Sequence, residues 1–240
     1  MNPQKLFVAI CIALVSTSMS FAIRGDSMGD FETEFVVPFV SETGAEGGVS
    51  EEDLVKTRLG VIGTIAFFSF GLAILFGGPL VDLFGMGTLL RLAAVCHIGG
   101  TLLTIFAPGY YAVVIATLLV GAGNGLVEAV CNPLIATISP DQKTKKLTLF
   151  HAWFPGGLVI GGLLAYAFSQ IGWGWQLKMA LILIPSIIYV VMIFTEKFPE
   201  TERVAAGLPF GEMIAEAVRR PLFWIVFAMM WLTASTELGP

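Results

Sequence analysis

Six stretches of this chain are each long and apolar enough to cross a lipid bilayer, and that repetition limits the fold more than any single motif. They cover residues 6–27, 59–80, 89–107, 111–138, 147–168 and 177–194. A spanning helix needs about 20 mostly apolar residues. A seventh stretch opens at Leu222 and loses its apolar character near Ala234. The apolar residues come in blocks and not in alternation, which excludes a transmembrane β-barrel. The expected fold is all-α: a polytopic membrane helical bundle of six transmembrane helices in a three-plus-three repeat, plus a truncated seventh. Three parts follow: residues 1–194 as a six-helix bundle, 195–221 as a cytoplasmic inter-bundle loop, and 222–240 as the start of a second, incomplete bundle.

Composition agrees. Hydrophobic residues make up 56% of the chain and charged ones 13%. A soluble domain has about 25% charged residues. So few charges cannot cover a soluble globule, which excludes a secreted disulfide scaffold, a disordered tail and a nucleic-acid partner. Residues 26–58 hold nine acids and two bases, while the whole chain is at −5, so the remainder is weakly basic. The acidity belongs to one loop. Cys11, Cys96 and Cys131 each sit in an apolar block and read as small buried hydrophobes. No metal-ligand cluster, nucleophile constellation or phosphate-binding loop is present, so neither an enzyme, a cofactor nor a metal is expected.

Basic residues set the orientation. With the N-terminus inside, nine lie at the inner face: Lys5, Arg91, Lys143, Lys145, Lys146, Lys197, Arg203, Arg219 and Arg220. Four lie outside: Arg24, Lys56, Arg58 and Lys178. The expectation is a bacterial inner-membrane protein with a cytoplasmic N-terminus and the acidic loop outside. The first block also fits a cleavable signal peptide ending near Ala22. Against this, polar residues continue directly at Arg24 and Asp26, and removal would leave an odd helix count. Ser50-Glu-Glu-Asp53 reads as a capping box for the second span, after a flexible loop over residues 41–48. Phe210, Met213, Ile214, Ala217 and Val218 fall at helical spacing, which fits either a short interfacial helix or a plain linker.

Polar groups inside a span are costly and therefore candidate functional groups. In the fourth span Asn124, Glu128 and Asn132 are spaced i, i+4, i+8, along one face. Gly121 and Gly125 allow close helix approach, and Pro133 frees a backbone carbonyl. A carboxylate with two amides suits a polyol or sugar, whose hydroxyls both donate and accept. The alternative is that Glu128 only bonds neighbouring helices. In the first span Arg24 and Asp26 follow Ser16 and Ser20; the alternative for them is a helix end reaching water. Arg24 and Glu128 are a poor pair by depth: each lies roughly 26–27 Å from opposite membrane faces, by helical rise. His151 and Trp153 open the fifth span as a polar and an aromatic group that fit a sugar, or a structural role at the interface. His97 reads as a satisfied core residue, Trp173 and Trp175 as an interfacial belt, and Glu237 as a weaker cavity candidate.

Gly78-Pro-Leu80-Val-Asp82-Leu-Phe-Gly85 resembles the signature turn of the major facilitator superfamily, G-x-L-x-D-R-x-G-R-R. Gly78, Leu80, Asp82 and Gly85 match, while Leu83, Met86 and Gly87 replace its basic positions. The resemblance makes Gly78, Asp82 and Gly85 a gating motif, with its charge latch weakened. Thr117 stands where many members carry Arg. Gly123-Asn-Gly-Leu-Val-Glu128-Ala-Val-Cys-Asn132-Pro133 is similar to the G-x-G-x-x-E-x-x-x-N-P of the fucose permease group of sugar–proton symporters. That resemblance implies Asp26 and Glu128 as proton- and sugar-linked carboxylates, with Asn132 at the sugar site. Arg24 departs from the group's pattern and puts simple proton coupling at Asp26 in question. The resemblance implies a secondary transporter of a small polar solute, a sugar with protons, working by alternating access. Its missing partner would be the C-terminal half. Substrate contacts are expected from Arg24, Asn124, Glu128, Asn132, His151 and Trp153. Two rival readings are an organic-anion or drug carrier of the same fold, with Arg24 meeting the anion, and a non-transporting membrane protein.

Overall fold

The structure, a computed structural model, describes residues 2–44 and 49–238. Residues 45–48 of the expected flexible loop lie outside the described residues, as do the side chains of Phe210, Met213, Ala217 and Glu237.

The first span is α1 (Pro3–Asp26), followed by α2 (Met28–Phe31), a π-helical turn (Glu32–Val36) and α3 (Val37–Thr43). The second, third and fourth spans are α4 (Glu51–Phe84), α5 (Met86–Ile105) and α6 (Tyr110–Ile138). The fifth is broken at Ala152 into α7 (Lys143–His151) and α8 (Trp153–Gln170). The sixth is α9 (Trp175–Ala180) and α10 (Leu183–Phe194). Then come α11 (Glu202–Ala205), α12 (Phe210–Arg219) and α13 (Pro221–Leu238). Among the described residues six helical segments have the length and hydropathy to cross a membrane, matching the expected spans.

Local chemistry explains the ends. Asn2 accepts the amides of Gln4 and Lys5, both at 3.1 Å, and opens α1. Ser50 accepts the Asp53 amide at 3.2 Å, as a capping residue should. Gly85 ends α4 at φ +81°, a left-handed conformation that favours glycine. Residues 28–43 of the acidic loop are helical, with Phe31, Phe35 and Val40 buried, so the first three residues of the expected flexible segment, 41–43, belong to α3.

The helices α1 and α6 form the centre. Helix α1 packs on α8 and α10, while α6 packs on α4 and α5. Each triplet's first helix thus lies against the second and third helices of the other triplet, which is the three-plus-three repeat in packing terms. A signal peptide would remove the bundle's central helix. Close approach is sequence-encoded. A Cβ at Gly121 would meet the Ala66 carbonyl oxygen at 2.5 Å, and one at Gly125 would meet Ala73 Cβ at 2.7 Å and clash with the Phe70 carbonyl. Gly157 plays the same part between α8 and α1, against Ser18 and Val15.

The first compact unit runs through Thr201, because residues 196–201 fold back onto it. Glu196 accepts from Lys5 Nζ at 2.9 Å and from the Asn2 amide at 3.2 Å. These bonds hold its carboxyl below the usual carboxylate range. Phe198 lies under the Arg91 guanidinium, and Thr201 donates to Asp82 at 2.5 Å. In the second unit, α12 is helical, so of the two alternatives for this stretch the structure has the helix; Ile214 and Val218 are exposed, and Glu216 pairs with Arg220 at 2.8 Å.

Candidate functional site

Three of the predicted site residues meet where α6 faces the end of α7. Asn132 Nδ2 donates to the Glu128 backbone carbonyl at 3.0 Å and to its Oε2 at 3.4 Å. The amide oxygen of Asn132 lies 3.1 Å from His151 Nε2. An amide that donates with nitrogen accepts with oxygen, so His151 Nε2–H is the donor in this bond. The arrangement Glu128–Asn132–His151 is therefore a directed chain from an imidazole to a carboxylate. His151 is exposed, while Glu128 and Asn132 are half-buried, so the chain borders open space. Trp153 is exposed on the next turn.

Aromatic rings from three helices gather nearby. Phe21 of α1 stacks on Phe67 at 5.3 Å, meets Phe70 edge-on at 5.8 Å and approaches Phe154 at 6.4 Å. The Phe70 backbone carbonyl packs on Gly125, three residues before Glu128, and Phe154 follows Trp153 in α8. An open face with aromatic rings and a carboxylate–amide pair offers both surfaces that a sugar presents, its apolar ring face and its hydroxyls. Sequence reasoning missed Phe21, Phe67 and Phe70; the dense Phe67-Phe68-Ser69-Phe70 run is the signal that marks the last two.

Asn124 goes elsewhere. It is buried, its oxygen lies 2.8 Å from His97 Nε2, and its nitrogen donates to Ser20 at 3.0 Å. Four residues advance a helix by about 400°, so eight leave a drift of roughly 80°, enough to turn Asn124 into the α1–α5 seam. His97 Nδ1 is met by the Tyr189 hydroxyl at 3.1 Å, so His97 is the satisfied core residue that its position predicts.

Arg24 does not reach water. It is buried and donates to Thr117 at 2.7 Å and to Thr104 at 3.2 Å, with Phe31 against its guanidinium at 5.8 Å. The helix-end reading is therefore corrected for Arg24, and the depth argument against pairing it with Glu128 agrees with these partners. Asp26 pairs with Lys178 Nζ at 2.6 Å; Lys178 is itself buried and lies 3.6 Å from Asp30. Lys178 is thus no loop base. Trp175 also leaves the expected belt: it is buried against Phe31 and Phe35 and donates to Glu34 at 2.6 Å. Trp173 is exposed, as an interfacial ring should be. In the signature turn, Gly78 meets open space, Gly85 makes the turn, and Asp82 holds Thr201.

The model of the Major Facilitator Superfamily matches residues 6–238, and the chain belongs to that family. It is similar to a D-xylose transporter of Levilactobacillus brevis, 30% identical over 44% of this chain and 24% of the relative. It is also similar to the glucose transporter GlcP of Staphylococcus epidermidis, 29% identical over 52% of this chain and 28% of the relative. Among solved structures, the proton:xylose symporter XylE with a bound bromodeoxyglucose superposes with a TM-score of 0.72 at 18% identity, over 84% of this chain and 46% of that one. The partially occluded, inward-open form of XylE from E. coli superposes at 0.69 and 17% identity, over all of this chain and 60% of that one. These structures share the fold. The alignments span about a quarter of the curated relatives' length.

Proposed function

We propose that this chain supplies one wall of the pathway of a proton-coupled sugar transporter that works by alternating access against a second bundle. The observation that carries this reading is the Glu128–Asn132–His151 chain on an open face, with aromatic rings beside it. Glu128 binds sugar hydroxyls and exchanges the proton. Asn132 and His151 orient it, and Trp153 with the Phe21 cluster takes the ring's apolar face. Asn124 and Arg24 position α1 and α6 from within the bundle. Asp26 acts with Lys178 at the far end of α1, as the second carboxylate of the resemblance to the fucose permease group. Gly78, Asp82 and Gly85 form the turn that meets residues 196–201 during gating.

The orientation follows the basic residues, with the N-terminus cytoplasmic in a bacterial inner membrane. Burial of Arg24 and Lys178 strengthens it, leaving Lys56 and Arg58 as the outer bases that count. The xylose and glucose carriers among the relatives support a monosaccharide as cargo. The test is uptake of labelled monosaccharides by the full-length protein in proteoliposomes with an imposed pH gradient. Glu128→Gln should abolish gradient-driven accumulation. Unchanged accumulation of every sugar would overturn the role of Glu128. A second reading rests on Arg24, which has no carboxylate partner among the described residues: an anionic cargo. Uptake of an organic anion that Arg24→Gln abolishes would favour it.

A further inference from the structure

An apolar groove of about 380 Å³ runs between α5 and α10, and none of the residues around Glu128 lines it. Ala94, Val95, Ile98 and Gly99 form one wall and Val190, Ile193 and Phe194 the other. Arg91 stands at its mouth. In a bilayer such a groove cannot hold water, because its walls offer nothing to hydrogen-bond, so it holds hydrocarbon. The distance along α5 from Arg91 to Ile98 is roughly 10 Å, a stretch that part of an acyl chain fills.

The mouth selects the headgroup. Arg91 is exposed, and no ion pair among the described residues includes it. Glu196, the acid whose backbone carbonyl it touches at 3.4 Å, commits its carboxylate to Lys5. Phe198 covers one face of the guanidinium, and the long bond to the Glu196 carbonyl uses one of its five N–H donors. A guanidinium edge matches a phosphate bidentately. We propose that this groove binds an anionic phospholipid, with one acyl chain between α5 and α10 and the phosphodiester on Arg91. The proposal rests on membrane insertion alone and is independent of the cargo.

Native mass spectrometry of the protein extracted from mixed phosphatidylglycerol and phosphatidylcholine bilayers tests it. The wild type should retain phosphatidylglycerol in preference to phosphatidylcholine. Arg91→Gln should reduce that preference about five-fold, the effect of one basic side chain at a membrane surface. Gly99→Leu should reduce retention of both lipids, since a side chain there meets no neighbour and fills the groove. Equal retention of the two lipids by the wild type, or an undiminished preference in Arg91→Gln, overturns the proposal. So does a second copy of the chain seated on this face. A phosphatidylglycerol with a photoreactive acyl chain supplies a readout without substitutions. It should label the peptides of residues 94–99 and 190–194, and labelling confined to other helices also overturns the site.

Discussion

His97 Nε2 lies 2.8 Å from the Asn124 amide oxygen, and this bond ties α5 to α6 where neither residue meets solvent. Ser20 extends it to α1 and Tyr189 to α10, so one chain of hydrogen bonds crosses four helices. Asn124→Leu keeps the size and strands a buried imidazole N–H. The expected loss is about 1–3 kcal/mol, the penalty for an unsatisfied buried donor. Thermal unfolding in detergent reads it. A double-mutant cycle with His97→Ala should show non-additive losses, whereas additive ones would mean that the two residues act independently.

Asn132 relays between His151 and Glu128, so Asn132→Leu should cut both hydrogen bonds and leave the fold intact. Sugar affinity should fall about five-fold or more, the equivalent of one net hydrogen bond. The pH profile of uptake should also change, because the imidazole no longer senses the carboxylate. Initial-rate kinetics across pH measure both effects.

Lys178 is buried between Asp26 and Asp30 and also donates to the Ser169 hydroxyl at 3.2 Å. Asp26→Asn removes the partner at 2.6 Å and keeps the one at 3.6 Å. Breaking a buried pair costs about 3–5 kcal/mol. Here the expected loss is smaller, about 1–3 kcal/mol, because Asp26 is one-third exposed and solvent screens it. Lys178→Met should recover part of that loss in the Asp26→Asn background, as read by thermal unfolding.

Gly121 and Gly99 make a matched contrast. An added Cβ strikes α4 at Gly121 and meets nothing at Gly99. Gly121→Val should separate α4 from α6 and yield protein that is rapidly cut by protease. Gly99→Ala should be neutral or gain up to about 1 kcal/mol from helix propensity.

Glu196 supplies a pH test. Its folded carboxyl titrates below its free value, so the attachment to Lys5 is complete above the free value and is lost as pH falls through the lowered one. Hydrogen exchange at residues 196–201 should therefore rise in acid, and Glu196→Gln should show fast exchange at neutral pH as well.

The six spans and the Glu128–Asn132 pair were legible because both are local: apolar block length, and polar residues one helical turn apart; the bond from Asn132 to His151 was not. The glycines of α6 were legible for the same reason, since small residues at i and i+4 announce close packing. The buried network was not. His97 meets Tyr189 from 92 positions away, and Lys178 meets Asp26 from 152. No local pattern marks such partners. Lys178 and Trp175 follow a Gly-rich turn and read as surface residues, but the helical cap over residues 28–43 covers them. Asn124 shares its spacing with Glu128 and still turns inward, because i+4 steps drift around the helix.

Residues 195–201 also alter what the connecting segment can do mechanically. Seven extended residues would reach roughly 24 Å. Fastened by Lys5, Arg91 and Asp82, they contribute none of that length to the leash, which begins at Glu202 instead of Thr195. Whatever the chain carries beyond this point is held on a shorter tether.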